Sequence, residues 1–359
     1  MRIALLGTRG IPANYGGFET FAEELSRRLV QRGHHVTVYG RDRHSNARYL
    51  GVDLQYLPTI RHKYFDTLAH TFLSTLHLLF HRHDVALYCN AANAIFTWMP
   101  RVAGMPVALN VDGLERKRKK WNALARTWYH SSEWLSTWMP NAIVSDAERI
   151  RFYYRQHYGA ESTFIPYGAE MGKVNSTATL EKLGLQPGEY FLYVSRMEPE
   201  NNALLVRQAF ERTTTTKKLA LIGDAPYADA YIARVRDTQD SRVVIPGGIY
   251  GDGYKELQSH CFAYIHATEV GGTHPALIEA MGREALTLFL DTPENREVAG
   301  EVAIPFHHDD LTHKLNFVLT CSEEDRAALR AAAGERVQQR YSWDYVTDAY
   351  EHLFRRLLT

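Results

Sequence analysis

Short apolar runs alternate with amphipathic stretches along most of the chain. In the first half the runs RIALLG, HVTVYG, VALYC, PVALNVDG and NAIVSD read as strands, with helical patterns between them. The clearest helix, Gly17 to Arg32, sets Phe18, Phe21, Ala22, Leu25 and Leu29 on one face, and Gly33 follows where a helix stops. A second series opens at YFLYVSR (190–196) and continues through KLALIGD, RVVIPGG, FAYIHATE and ALTLFLD. Strands alternating with helices predict parallel sheets with crossover helices. The fold class is therefore α/β, with two Rossmann-like, doubly wound halves in one chain. Glycine and small polar residues interrupt the pattern at 167–189, where the halves join, and three helical segments close the chain. Such sheets bind ligands beyond the carboxyl ends of their strands. This points to the strand-end loops and to a cleft between the halves.

Length and charge narrow the classes. A chain of 359 residues suits two domains of about 150–200 residues each. Lys+Arg and Asp+Glu are both 41, so no global field selects nucleic acid or a membrane. Cys89, Cys261 and Cys321 are far apart and odd in number. They read as buried small hydrophobes without a disulfide framework. The opening MRIALLG is too short for a signal peptide, and LAHTFLSTLHLLFHRHD, interrupted by His70 and His77, is too short to span a bilayer, so a cytoplasmic protein is expected. None of the 17 histidines has metal-site spacing, and no metal is expected.

Three strand-end elements suit a phosphorylated ligand. GTRGIPANYGGFET places Gly16 and Gly17 before the first helix, where backbone N–H groups and the helix dipole favour an anion. It is neither G-x-G-x-x-G nor a P-loop. HATEVGGTHPALIEAMG places Gly271, Gly272 and Thr273 before Pro275, with Glu279 one turn inside a helix. Glu279 reads either as an acceptor for sugar hydroxyls or as a helix-start carboxylate. In YVSRMEPENN, Arg196 stands at a strand end, where a guanidinium binds phosphate or makes a surface ion pair.

Asp112, in NVDGLE, reads equally as a general base for an acceptor hydroxyl or as an Asp-Gly turn. Glu115 and Trp121 are candidates for the same edge. The basic run RKRKKW (116–121) precedes WYHSSEWLSTWM. Together they read either as a solvated loop and a helix core or as a cationic, aromatic face for anionic lipid.

GGFETFAEELSRRLVQRGHHVTVYG, FIPYGAE, VSRMEPENN, GGTHPALIEAMG and YSWDYVTDAYEHLF resemble family 4 of the retaining GT-B glycosyltransferases, over essentially the whole chain. GTRGIPANYGGFET with NVDGLERKRKKW is similar to its rhamnosyltransferase-like branch, which serves polysaccharide, lipopolysaccharide and O-antigen assembly. The resemblance implies an acceptor domain at 1–168, a nucleotide-sugar domain at 169–342 and a last helix, 343–359, crossing back to the first. It implies a transfer with retention, most specifically of L-rhamnose from dTDP-L-rhamnose, or of a sugar from a UDP or GDP donor. The acceptor would be a saccharide or a polyprenyl-diphosphate-linked one, with no cofactor; peripheral membrane contact through 116–121 is the lipid-facing alternative read from the basic run itself.

By position, the resemblance puts Gly16 and Gly17 at the donor phosphates and the acceptor, Arg196 and Asn201 at the diphosphate, and Gly271, Gly272 and Thr273 at the phosphate and sugar. Glu279 falls at the ribose and Gly247 and Ile249 along the base; Asn14, Tyr15, Asp112 and Glu115 are the candidates for the acceptor edge. Arg196, Glu279 and Asp112 carry the catalytic roles. The chain departs from the family twice: Gly271 stands where a glutamate is usual, with Glu269 the nearest acid, and Asn201 and Asn202 stand where a lysine is common. A non-catalytic nucleotide-sugar-binding protein and a sugar-nucleotide epimerase are the rival readings.

Overall fold

The computed structural model describes every residue except 14–16, 45, 61, 63–64, 115, 117–121 and 226–227. The chain divides into two compact units, Met1–Tyr167 with Trp343–Thr359, and Gly168–Ser342.

The first unit is built on eight strands: β1 (Arg2–Leu6), β2 (His35–Gly40), β3 (Arg48–Tyr49), β4 (Val52–Tyr56), β5 (Val85–Cys89), β6 (Val107–Asn110), β7 (Ala142–Ser145) and β8 (Thr163–Phe164). They lie in the order β3-β4-β2-β1-β5-β6-β7-β8. All pairs are parallel except β3 with β4, an antiparallel edge that strand alternation alone did not predict. β5 is buried at all five positions, as a parallel strand covered on both faces should be. The helix Gly17–Gln31 buries Phe21, Ala22, Leu25 and Leu29, at about 1.5–3 kcal/mol for each large apolar side chain. Gly33, at φ +85°, ends that segment. The last helix, Trp343–Leu358, packs on it through Phe21 and Tyr350, whose rings are 5.4 Å apart.

The second unit holds β9 (Tyr190–Val194), β10 (Lys218–Ile222), β11 (Val243–Gly247), β12 (Ala263–His266), β13 (Thr287–Leu290) and β14 (Ile304–Phe306). They form a parallel sheet in the order β11-β10-β9-β12-β13-β14. The period-2 alternation of each strand divides its side chains between two cores. Phe191, Tyr193, Leu219, Leu221 and Ile265 face the core shared with the helices Ala203–Glu211 and Leu311–Thr320. Tyr190, Leu192, Ala220, Ile222 and Tyr264 face Leu257 and Ala280 of Gly251–His260 and Pro275–Gly282.

Setting aside the antiparallel edge, both sheets follow one plan. The chain steps outward from the first strand in one direction, returns, and steps outward in the other. The reversal lies between β1 and β5 in the first unit and between β9 and β12 in the second. Loops leaving these two neighbours diverge, which opens a crevice at the carboxyl edge of the sheet.

Candidate functional site

In the second unit the crevice is bounded by the exits of β9 and β12. β9 and β10 leave the sheet in contact: Ser195 donates to Ile222 O, and a Cβ on Gly223, at φ +150°, would lie 1.8 Å from Ser195 O. Only glycine fits there. This close passage aims the next residue, Arg196, whose side chain is about one-third exposed and lies 3.9 Å from Glu198 Oε2. The Arg196 carbonyl accepts from the Glu198 N–H (2.7 Å) and from Asn201 Nδ2 (2.6 Å). Asn201 is buried, so its side chain acts on the backbone that carries Arg196. Asn202 reaches across the reversal, donating to Ala267 O (2.9 Å) and Glu269 Oε1 (3.0 Å). Glu269 Oε1 is also 2.9 Å from His308 Nε2.

On the β12 side, Gly271, Gly272 and Thr273 lead into the helix Pro275–Gly282, with proline at its first position. The first N–H groups of a helix have no partner within it, which makes this end suited to an anion. His274 precedes the helix, with Nδ1 2.6 Å from Asn295 Oδ1. The Asn295 amide nitrogen donates to Thr268 O and Leu290 O, so its oxygen is the acceptor and His274 Nδ1 carries the proton. A Cβ on Gly271 would lie 2.3 Å from His274 Nε2, so a glutamate at 271 requires this imidazole to move. Burial, and then the neighbouring His274, push the pKa of His266 well below its ordinary value.

Glu279 is half-buried in the middle of this helix. Its Oε2 accepts from the Tyr254 hydroxyl at 2.6 Å, and Gln258 Nε2 donates to that same hydroxyl oxygen at 2.7 Å. Burial and then Glu279 raise the Tyr254 pKa well above its usual value, so the hydroxyl remains a donor. Sequence reasoning missed Tyr254 and Gln258. Their i,i+4 spacing on one helix is visible, but nothing local couples them to position 279. Gly247 ends β11 at φ +97° and accepts from Gly223, while Ile249 is half-buried against the core.

In the first unit, β1 and β5 exit in contact. A Cβ on Gly7 would lie 2.4 Å from Cys89 O. The loop that follows is tied to the first helix: Arg9 N–H donates to Glu19 Oε1 (3.1 Å) and Ala13 N–H to Glu23 Oε2 (2.7 Å). Gly17 opens that helix. Asn14, Tyr15, Gly16, Glu115 and residues 117–121 lie outside the described residues. Asp112, just beyond β6, is half-buried in a left-handed conformation at φ +58°, and its N–H donates to Asn110 Oδ1. Asn110 Nδ2 donates in turn to Tyr350 OH at 2.9 Å, so the last helix anchors this strand end. Burial, with Asp112 and Glu19 nearby, raises the Cys89 pKa well above its usual value, which leaves the thiol protonated and poorly nucleophilic. Arg116, the first residue of the basic run, is spent on buried Glu133, at 3.0 Å, and on Tyr153. A cavity of about 330 Å³ beside Gly40, Gln55 and Tyr56 is lined by none of the predicted site residues.

Among the described residues no group of three His, Cys, Asp or Glu side chains is arranged to hold a metal, and no helix is long and apolar enough to cross a membrane.

Solved structures share this architecture across the whole chain. Anabaena Alr3699/HepE in complex with UDP and glucose superposes with a TM-score of 0.80 at 13% identity, covering 99% of this chain and 100% of that one. The fold is GT-B. Sucrose-phosphate synthase from Thermosynechococcus elongatus matches with a TM-score of 0.79 at 18% identity, over 99% and 98% of the two chains. WaaG, a glycosyltransferase involved in lipopolysaccharide biosynthesis, gives 0.73 at 16% identity, over 97% and 98%. The family described as a domain of unknown function (DUF1972) matches residues 1–170. No curated protein matches the chain.

Proposed function

We propose that this protein is a glycosyltransferase that moves a sugar from a nucleoside diphosphate to an alcohol. The observation that carries the reading is the crevice of the second unit. A strand-end guanidinium, Arg196, stands on one side of the β9/β12 reversal, and a Gly-Gly-Thr helix start with a carboxylate inside the same helix stands on the other. That set matches a ligand with a diphosphate and a ribose, and the GT-B fold is the scaffold of neighbours solved with UDP, glucose or UDP-glucose. In this reading Arg196 and the helix N–H groups take up the charge that develops on the departing diphosphate. Gly247 and Ile249 line the base, and Glu279 accepts from the ribose, including the 3′-hydroxyl of a deoxyribose.

The bond from the sugar C1 to the diphosphate oxygen breaks, a bond to the acceptor oxygen forms on the same face, and the acceptor proton leaves with the diphosphate. Asp112 orients the acceptor hydroxyl. The donor is dTDP-L-rhamnose, and the acceptor is a saccharide or a lipid-linked saccharide of a cell-surface polysaccharide. The motifs GTRGIPANYGGFET and NVDGLERKRKKW support that choice, whereas the UDP-bound neighbours favour a UDP-sugar as the second reading.

Thermal unfolding with dTDP, UDP, GDP and their sugars tests this. A ligand at a hundred times its dissociation constant stabilises by about 2.7 kcal/mol. Stabilisation by one nucleotide, lost in Arg196→Ala and Glu279→Ala, is the expected result. The absence of any shift overturns the donor site. Donor binding without acceptor-dependent release of nucleoside diphosphate leaves a binding protein.

A further inference from the structure

One buried amide ties the β12 side of the crevice together. Asn295 lies on the helix Pro293–Ala299 and is fully buried. Its Nδ2 donates to Thr268 O, just past β12, and to Leu290 O, at the end of β13, both at 2.9 Å. Both amide hydrogens are thereby used, and Oδ1 accepts from His274 Nδ1 at 2.6 Å. Two strand ends and the residue before the helix Pro275–Gly282 thus meet at a single side chain. His274 makes no side-chain cap to its own helix; its Nδ1 is turned to Asn295 instead. His266, the last residue of β12, is buried with its ring centroid 5.0 Å from that of His274, so the imidazole is packed as well as bonded.

The other edge of the same imidazole sets the course of the turn. A Cβ on Gly271 would lie 2.3 Å from His274 Nε2 and 2.7 Å from Cδ2, so a hydrogen and nothing larger fits between them. The φ of Gly271 is outside the left-handed region, so its backbone conformation does not demand glycine; the imidazole does. A turn whose N–H groups serve an anion binds well when they already point at it before the ligand arrives. Asn295 and His274 supply that fixity from beneath.

We infer, on the strength of the proposed function, that His274 is a positioning residue for the donor diphosphate. Bonded to Asn295, it holds the Gly271–Gly272–Thr273 turn and the helix start in the geometry that receives the phosphates, and its imidazole dictates glycine at 271. His274→Ala removes the donor to Asn295, whereas His274→Asn puts an amide nitrogen close to where Nδ1 stood and retains it. Hydrogen exchange of the peptide covering residues 269–274, followed by mass spectrometry without ligand, should be about tenfold faster in His274→Ala and native in His274→Asn. Titration with dTDP and UDP should show affinity about tenfold weaker in His274→Ala, the loss of one well-directed N–H to phosphate, and native affinity in His274→Asn. Gly271→Ala should lower the unfolding midpoint of the native chain and cost less in the His274→Asn background, where Nε2 is gone; this comparison does not need His274→Ala to fold. Native exchange in His274→Ala overturns the inference, as does an equal loss in both variants at 274. Equal cost of Gly271→Ala in the two backgrounds overturns the role given to the imidazole. Faster exchange with unchanged affinity, for a nucleotide that the native chain binds, refutes the link to the diphosphate. If the native chain binds neither nucleotide, the donor reading fails, while the exchange and midpoint results still decide whether His274 holds the turn.

Discussion

Tyr254→Phe is the sharpest perturbation of the crevice, because it removes one atom and retains the ring. The lost hydroxyl donates to Glu279 Oε2 at 2.6 Å and accepts from Gln258 at 2.7 Å, and Gln258 keeps only Ala276 O at 3.4 Å. A hydrogen bond to an ionised group contributes about 1.5–3 kcal/mol, and half-burial of Glu279 argues for the lower end, about 1.5 kcal/mol. Each kcal/mol moves the midpoint of a unit of this size by about 2–4 °C, so the second unit should melt about 3–6 °C lower.

The binding consequence is separable. Under the proposed function, the carboxylate freed of this hydroxyl rotates away from the ribose, and a loss of about 1.4 kcal/mol in binding is a tenfold weaker dissociation constant. Calorimetric titration with dTDP and UDP measures it, with Glu279→Gln as the companion variant. If Tyr254→Phe melts and binds like the native protein while Glu279→Gln loses affinity, the hydroxyl does not position the carboxylate. If Glu279→Gln also binds natively, the ribose assignment fails instead, and any loss of stability in Tyr254→Phe still stands.

Gly223→Ala should cost more than about 2 kcal/mol in urea unfolding, since its Cβ would overlap Ser195 O. A native midpoint would show that the β9 and β10 exits can part. Asn201→Ala removes the donor to Arg196 O and should weaken nucleoside diphosphate binding by titration while Arg196 itself is intact; unchanged affinity refutes the positioning role. Glu351 is held from its ordinary 4.5 down to about 2, by Arg355 first, against the pull of burial, with Arg32 and His34. Its stabilisation of the last helix is complete above pH 4.5 and is lost as the pH falls towards 2, so an acid titration followed by tryptophan fluorescence should lose part of its slope in Glu351→Gln. Iodoacetamide at neutral pH should label half-buried Cys321 before Cys89 or Cys261, whose thiol burial pushes up to about 12; early labelling of either buried thiol by mass spectrometry contradicts the packing.

Much of the fold is legible along the chain because its determinants are local. Fully apolar runs such as VALYC, the amphipathic face of Gly17–Gln31, Gly33 as a helix stop and Pro275 as a helix start each act within a few residues. Their alternation suffices to indicate two doubly wound halves, and it locates Arg196 and the Gly-Gly-Thr loop at strand exits. Pairing order is not local. The antiparallel edge strand β3, two residues long, is too short to leave a pattern, and the reversal between β9 and β12 exists only once the sheet is assembled.

The same distinction holds for side chains. Polar residues in strand-end loops can be identified from sequence, but their partners cannot. Asn201 turns inward to the Arg196 carbonyl, Asn202 crosses to Glu269, and Tyr254 takes hold of Glu279 from a helix that lies twenty-five residues away along the chain. The tryptophans after the basic run suit a helix core in the sequence pattern. Trp134, on the helix Ala123–Leu135, and Trp138, in the turn after it, nevertheless face outward, because the inner side of that helix is taken up by Ala125, Ser132 and Glu133, which is paired with Arg116. Periodicity sets which residues share a face of a helix. Which face is covered depends on what the rest of the chain packs against it, and that is decided only on folding.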